Sequence, residues 1–233
     1  MKFFLNAILA GVVVFFILGC TTTVDYAKKY PDMVANADPV STGTIEVEFD
    51  RILSSKLNKT EIEVVFYPRL NAVALEFRYE LTRYRQFWDK AARQQFTAAL
   101  DLYKADYAGQ SLKNQYKKTR TIYGKVRGRT EWETFKYART RISYPDIELG
   151  YRFVGGMPFF TTLMRSAKEE SDNTDSSQQL ESQQIYMYFT RAQADDLVKR
   201  FDQSYLMGLL EEKDDPKPEE PHTVKSYREF GDE

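Results

Sequence analysis

Few side chains in this sequence have the types and spacing that catalysis requires. The chain of 233 residues has one histidine, His222, and one cysteine, Cys20. His222 stands in an acidic, proline-rich C-terminal stretch, so no scaffold holds it as a general base beside a nucleophile. Zinc sites draw mainly on histidine and cysteine, and the chain offers only these two. We therefore expect neither a nucleophilic triad nor a zinc site, and we predict no cofactor.

Carboxylates are the remaining candidates for chemistry. Asp146 and Glu148 could serve glycoside hydrolysis, which uses two carboxyl groups across a groove. Such pairs arise by chance in a chain with 34 acidic residues, however. The acidic run over 171–175 lacks the glycine and the terminal glutamate of an EF-hand calcium loop. The sequence therefore predicts a protein that is not an enzyme, with a carboxylate-based enzyme acting on envelope glycans as one alternative.

A basic stretch between Lys113 and Arg141 is the strongest indication of binding. Ten basic residues stand there against Glu131 and Glu133, with aromatic side chains among them. This mixture is typical of surfaces that bind polyanions. The candidate polyanion-binding residues are Lys117, Lys118, Arg120, Lys125, Arg127, Arg129, Lys136, Arg139 and Arg141. The sequence favours the alternative that these side chains lie on a solvent-exposed sheet face and pair with nearby acids, each pair contributing little. The acidic C-terminal stretch offers a further partner within the chain.

The N-terminal residues indicate export. Lys2 is followed by an apolar run over 3–18 that Asn6 interrupts, and then by the small residue Gly19. This order of charge, apolar body and small residue is typical of a secretory signal. The run falls short of the ~20 apolar residues that a membrane-spanning helix needs. We therefore predict a signal peptide over 1–19.

The tetrapeptide Ile17-Leu18-Gly19-Cys20 resembles the lipobox of bacterial lipoproteins, although Ile17 and Leu18 differ from its commonest form. The resemblance implies cleavage before Cys20, a diacylglyceryl group on its sulfur and an acyl chain on its new amino terminus. Each buried CH₂ contributes ~0.8 kcal/mol, so two or more chains anchor a protein stably. Thr21, rather than aspartate, resembles the pattern that directs lipoproteins to the outer membrane.

The chain after the signal divides into three predicted parts. They are a lipid-anchored tether over 20–43, a single folded domain over 44–210 and an acidic disordered tail over 211–233. The 33 basic and 34 acidic residues nearly cancel, so no overall field recruits nucleic acid. We expect the membrane as partner through Cys20, together with an envelope polyanion or protein, and no nucleic acid. The sequence does not indicate an oligomeric state.

Hydrophobic periodicity predicts an α+β domain. A spacing of three or four residues predicts one long amphipathic helix over 82–107, with a stripe of Leu81, Tyr84, Trp88, Ala91, Gln95, Ala99 and Leu102. Thr190 with Gln193 predicts a capping box that starts a last helix. Alternating apolar residues predict strands over 45–49, 62–67, 73–79, 119–127, 130–142, 148–154, 159–166 and 185–189. We expect the order βββ-α-βββββ-α, a curled antiparallel sheet of about seven to eight strands with two amphipathic helices packed on it.

The segment Val154–Phe160, VGGMPFF, is unusually apolar for a turn. It could be an apolar tip that touches a membrane or a partner. The sequence favours the alternative that Phe159 and Phe160 belong to the next strand and that at least one of them faces the core.

Taken together, these features predict a membrane-anchored lipoprotein that acts as a non-enzymatic binding or structural module of the cell envelope. A second alternative is a carrier of an apolar or lipid ligand in a cavity between sheet and helices.

Overall fold

A computed structural model describes residues 32–51, 54–113, 122–134, 137–170 and 179–214. Within these ranges the fold is α+β, as predicted, with ten strands and three helices. The strands are β1 (Val40–Arg51), β2 (Ser54–Tyr67), β3 (Ala72–Tyr79), β4 (Thr82–Trp88), β5 (Ile122–Arg127), β6 (Thr130–Thr134), β7 (Tyr137–Ser143), β8 (Asp146–Val154), β9 (Met157–Met164) and β10 (Ile185–Phe189). The helices are α1 (Lys90–Ala108), α2 (Arg191–Phe201) and α3 (Gln203–Asp214).

All ten strands form one antiparallel sheet in the order β5-β8-β9-β10-β1-β2-β3-β4-β6-β7. The sheet is strongly curled. Thr130 on β6 donates a hydrogen bond to the sulfur of Met164 on β9 at 3.7 Å, although five strands lie between them in the sheet order. The curled antiparallel sheet is therefore confirmed, and its strand number exceeds the predicted seven to eight.

The predicted helix over 82–107 is wrong at its start, because Thr82–Trp88 forms strand β4. In this strand Tyr84 and Trp88 are buried, whereas Arg83 is exposed. Side chains four residues apart lie on the same face of a strand, where the side-chain period is two, and also on nearly the same face of a helix. The spacing of Tyr84 and Trp88 therefore could not distinguish helix from strand. Pairing with β3 and β6 decides for the strand.

The phase of the helix also differs from the prediction. The sequence pattern placed Gln95 and Leu102 on the buried stripe, but both are exposed, Leu102 by 53%. The buried side of α1 instead carries Ala92, Arg93, Phe96, Ala99, Leu100 and Tyr103. The predicted phase was carried over from Tyr84 and Trp88, which belong to strand β4. Within α1 itself, the apolar residues at a spacing of three or four define the buried side.

The last helix is divided in two. Its start is as predicted: Thr190 and Gln193 form the reciprocal capping box, with Gln193 Oε1 accepting from the Thr190 backbone at 2.8 Å. The chain then becomes extended at Asp202, with ψ of 130°. The Asp202 carboxylate accepts from the backbone N–H of Tyr205 at 2.9 Å and so begins α3.

Strand boundaries also differ from the prediction, most clearly in three places. The single strand expected over 130–142 is two strands, β6 and β7, which pair with each other. The strand expected over 45–49 begins at Val40 and continues to Arg51, and the strand expected over 62–67 begins at Ser54. These differences are typical of pattern-based boundaries, because a turn or a strand end need not interrupt the alternation of side chains.

The fold includes described residues on both sides of the predicted domain of 44–210. Val34 and Ala37 pack against the core, and the Val34 backbone donates to the Pro68 carbonyl at 3.0 Å. Helix α3 continues to Asp214, past the predicted start of the acidic tail at Glu211. Residues 20–31 and 215–233 of the predicted tether and tail lie outside the described residues.

Aromatic side chains fill the concave face of the sheet beneath the helices. Phe96 of α1 is fully buried, and its ring lies 5.6 Å from Trp88, 5.2 Å from Phe160, 6.1 Å from Phe189 and 5.3 Å from Phe201, measured between ring centroids. Such edge-to-face pairs stabilise a core beyond the burial of their area. None of the helices described here combines the length and apolar character needed to cross a membrane.

Candidate functional site

Five of the predicted site residues cannot be placed. Cys20, Lys117, Lys118, Arg120 and Lys136 lie outside the described residues. The remaining candidates of the basic stretch are Lys125, Arg127, Arg129, Arg139 and Arg141.

Lys125 and Arg129 pair with acids on the convex face of the sheet. Lys125 Nζ lies 2.7 Å from the Asp146 carboxylate, and Arg129 Nη2 lies 2.5 Å from that of Glu131. The Arg129 guanidinium also stacks over the ring of Phe87, 5.3 Å from its centroid. Both charges are therefore largely compensated within the domain.

Arg141 is turned into the protein and does not form part of a solvent-exposed patch. Its side chain is 8% exposed, forms a 3.0 Å ion pair with Glu169 and lies 5.2 Å from the ring centroid of Trp132. Removing one partner of a buried ion pair leaves an uncompensated charge, so this contact has a structural role.

Arg127 and Arg139 are exposed, and neither forms an ion pair with an acid among the described residues. Arg127 Nε donates to the Tyr144 carbonyl at 3.2 Å. Three of the five placed candidates are thus in ion pairs, which agrees with the alternative of a charged sheet face better than with one polyanion-binding surface.

The carboxylates considered for catalysis are also engaged by cations. Glu148 is nearly buried and accepts from Arg165 Nε at 2.9 Å, while Asp146 pairs with Lys125. Each carboxylate is thus held by a different cation. Within the described ranges, no group of three or more histidine, cysteine, aspartate or glutamate residues could hold a metal ion.

The apolar segment VGGMPFF forms the tip of the β8–β9 hairpin. Gly155 and Gly156 have φ of +58° and +82°, as a tight two-residue hairpin turn requires. Phe159 and Phe160 are 5% and 0% exposed and belong to strand β9. Phe160 lies in the core, as the sequence favoured for at least one of them, whereas Phe159 packs against the ring of Tyr188. Met157 is 61% exposed at the first position after the turn, and we call it the Met157 tip.

Arg93 is the most unusual polar group in the structure, and the sequence pattern did not reveal it. It is 3% exposed on the core side of α1. Nη1 donates to the Phe201 carbonyl at 2.8 Å, while Nη2 donates to the Asn71 carbonyl at 3.1 Å, to Asn71 Oδ1 at 3.1 Å and to Gln203 Oε1 at 3.0 Å. One guanidinium therefore connects α1, the β2–β3 turn and the junction of α2 with α3.

The Arg93 contacts involve neutral acceptors only. Burial lowers the pKa of Arg93 to about 10, and the charges of Asp89 and Asp202 oppose this effect. The guanidinium therefore remains protonated at neutral pH. A cleft of about 390 Å³ between α1 and the α2–α3 junction is lined by Arg93 together with Lys90, Asp101 and Asp202. A correct helix phase would have drawn attention to a charged residue on the apolar stripe.

Two buried tyrosines predict a loss of stability in alkali. Burial raises the pKa of Tyr84 and of Tyr103 to about 12. The unfolded chain loses these protons near pH ~10, whereas the folded chain keeps them to higher pH. The contribution of the two tyrosines to the free energy of unfolding is therefore fully present below pH ~10 and decreases as the pH rises toward 12. We expect each tyrosine to contribute a slope of up to about 1.4 kcal/mol per pH unit in this range, measured by urea denaturation.

A matched variant separates this effect from other alkaline titrations. Tyr84→Phe should reduce the slope, because phenylalanine has no proton to lose. An unchanged slope in both Tyr84→Phe and Tyr103→Phe would contradict the assignment.

Comparison with known proteins places the chain in a family. The family described as "Uncharacterised Treponema protein" matches residues 40–208, which includes all ten strands and nearly all of the three helices. No curated protein and no solved structure matches the chain. The match spans well over half of the sequence, so the chain belongs to this family of uncharacterised Treponema proteins.

Proposed function

We propose that this protein is a bacterial lipoprotein, anchored by lipidated Cys20 outside the cytoplasm, whose folded domain is a non-enzymatic binding or structural module of the cell envelope. The observation that carries the proposal is the lipobox-like sequence Ile17-Leu18-Gly19-Cys20 at the end of an apolar signal. Thr21 favours the outer membrane over the inner membrane.

The packing of the domain supports a module that works at its surface. Phe96 and its four aromatic neighbours occupy the space between helices and sheet where a carrier would hold an apolar ligand. The placed carboxylates that could serve glycan hydrolysis are held by cations. These contacts favour surface binding over the carrier and enzyme alternatives.

Metabolic labelling with a palmitate analogue tests the anchor. The wild-type protein should incorporate the label, and Cys20→Ala should not, because the substitution removes the acceptor sulfur. Thr23→Ala, three positions later, is the matched control and should label as the wild type does. A wild-type protein without label, or equal labelling of Cys20→Ala, would refute the anchor.

A further inference from the structure

The point at which the chain enters the domain is fixed at one end of the sheet. The Val34 backbone donates to the Pro68 carbonyl at 3.0 Å, and Arg69 Nε donates to Asn36 Oδ1 at 2.8 Å. Pro68 and Arg69 belong to the turn between β2 and β3. The segment before β1 is therefore held against this turn, and we call this end of the sheet the entry end.

Strand register places the Met157 tip at the entry end. Phe160 of β9 pairs with Phe189 of β10, and Met187 of β10 pairs with Phe49 of β1. Because β10 is antiparallel to both neighbours, β9 and β1 run in the same direction, and the Met157 end of β9 lies at the same end of the sheet as Val40 of β1. Val40 pairs with Phe66, which lies beside the β2–β3 turn. The β8–β9 hairpin thus points in the same direction as the segment that enters the domain.

Leu81 marks the opposite end of the sheet. It lies in the turn between β3 and β4 and is 78% exposed. Strand β3 has eight residues and starts directly after the β2–β3 turn, so it separates the two ends by ~25 Å. Leu81 and Met157 are both exposed apolar side chains, which makes them a matched pair for comparing the two ends.

The distance between the anchor and the entry end is short. Asp32 stands twelve positions after Cys20. Twelve residues span at most ~40 Å when fully extended, and a coil of that length spans only ~20 Å on average. An anchor at Cys20 therefore brings the entry end closer to the lipid surface than the end that carries Leu81.

We propose that the entry end faces the membrane and that the Met157 tip contacts the headgroup region of a phospholipid surface. This inference rests on the lipid anchor proposed above. Methionine is flexible and apolar, and at the tip of a tight hairpin it can enter an interface without disturbing the fold.

Site-specific fluorescence quenching tests this orientation. Met157→Cys and Leu81→Cys are each made in the full chain and purified in acylated form. Lipidation of Cys20 blocks the only natural thiol, so the introduced cysteine is the one position that a thiol-reactive fluorophore labels. The protein is reconstituted into phosphatidylethanolamine–phosphatidylglycerol vesicles that contain a quencher on the lipid headgroup.

We expect quenching at position 157 to exceed quenching at position 81 by about threefold or more, because the two ends of the sheet lie ~25 Å apart. A variant with about thirty Gly/Ser residues inserted before Asp32 should lose most of this difference, because the longer coil lets any side of the domain reach the lipid.

Vesicle flotation of the same samples separates the two proposals. Protein that does not float with the vesicles overturns the anchor and the orientation together. Protein that floats but shows equal quenching at both positions, or stronger quenching at position 81, overturns the orientation alone. A difference that persists after the insertion would show that the tether does not set the orientation, which also contradicts the inference.

Discussion

Replacing Phe96 with alanine should lower the free energy of unfolding by about 4 kcal/mol, the largest effect we expect from a single substitution. Phe96 is fully buried, and its ring packs against four other aromatic rings from the sheet and from α2. Truncation would remove the transfer free energy of the ring and leave a cavity that these large neighbours cannot close. Urea denaturation followed by tryptophan fluorescence measures the change, since Trp88 is one of the contacting rings.

Leu102→Ala on the same helix is the matched control. Its side chain is exposed, so its removal should change stability by less than about 0.5 kcal/mol. Phe96→Leu should give an intermediate loss because it retains most of the apolar volume. Similar losses for Phe96→Ala and Leu102→Ala would show that the aromatic cluster does not hold the helix on the sheet.

Replacing Arg93 with alanine should cost about 3 kcal/mol, although the substitution removes a buried charge from an otherwise apolar helix face. Four acceptor oxygens, on Asn71, Phe201 and Gln203, would lose their charged donor. Each buried acceptor left without a partner costs ~1–3 kcal/mol, and this cost exceeds the gain from removing the desolvated guanidinium. The same denaturation experiment measures the result.

Arg93→Lys and Arg78→Ala test the interpretation. Lysine retains the charge but lacks the planar fork that reaches several elements at once, so Arg93→Lys should recover only part of the loss. Arg78 is exposed on strand β3, and Arg78→Ala should change stability little. Full recovery with lysine would mean that charge alone matters, and not the bridging of α1, the β2–β3 turn and the α2–α3 junction.

The features predicted correctly from the sequence are local ones. The capping box at Thr190 and Gln193 depends on residues three positions apart, and the Gly155-Gly156 turn depends on two adjacent residues. The α+β class and the antiparallel curled sheet follow from side-chain periodicity and short connections, which are also local properties of the chain.

Strand β4 was mistaken for helix for a physical reason. Tyr84 and Trp88 are four residues apart, a separation that places side chains on one face of a helix and equally on one face of a strand. The hydrogen bonds to β3 and β6 determine the outcome, and β6 lies more than forty residues away in the sequence. The predicted buried side of α1 was wrong for the same reason, because it was extrapolated from residues of β4, whereas the helix begins at Lys90 and not at Thr82.

By itself, the sequence determined the class of the domain and the scarcity of histidine and cysteine, and it predicts the lipobox-like end of an apolar signal. Only the tertiary structure decided how the charged side chains are paired. It placed Lys125, Arg129 and Arg141 against acids and buried Arg93 among neutral acceptors. It also brought the Met157 tip to the end of the sheet where the chain enters. Motifs read along the chain are local, whereas ion pairs, burial and the direction of a hairpin arise from contacts between residues distant in sequence.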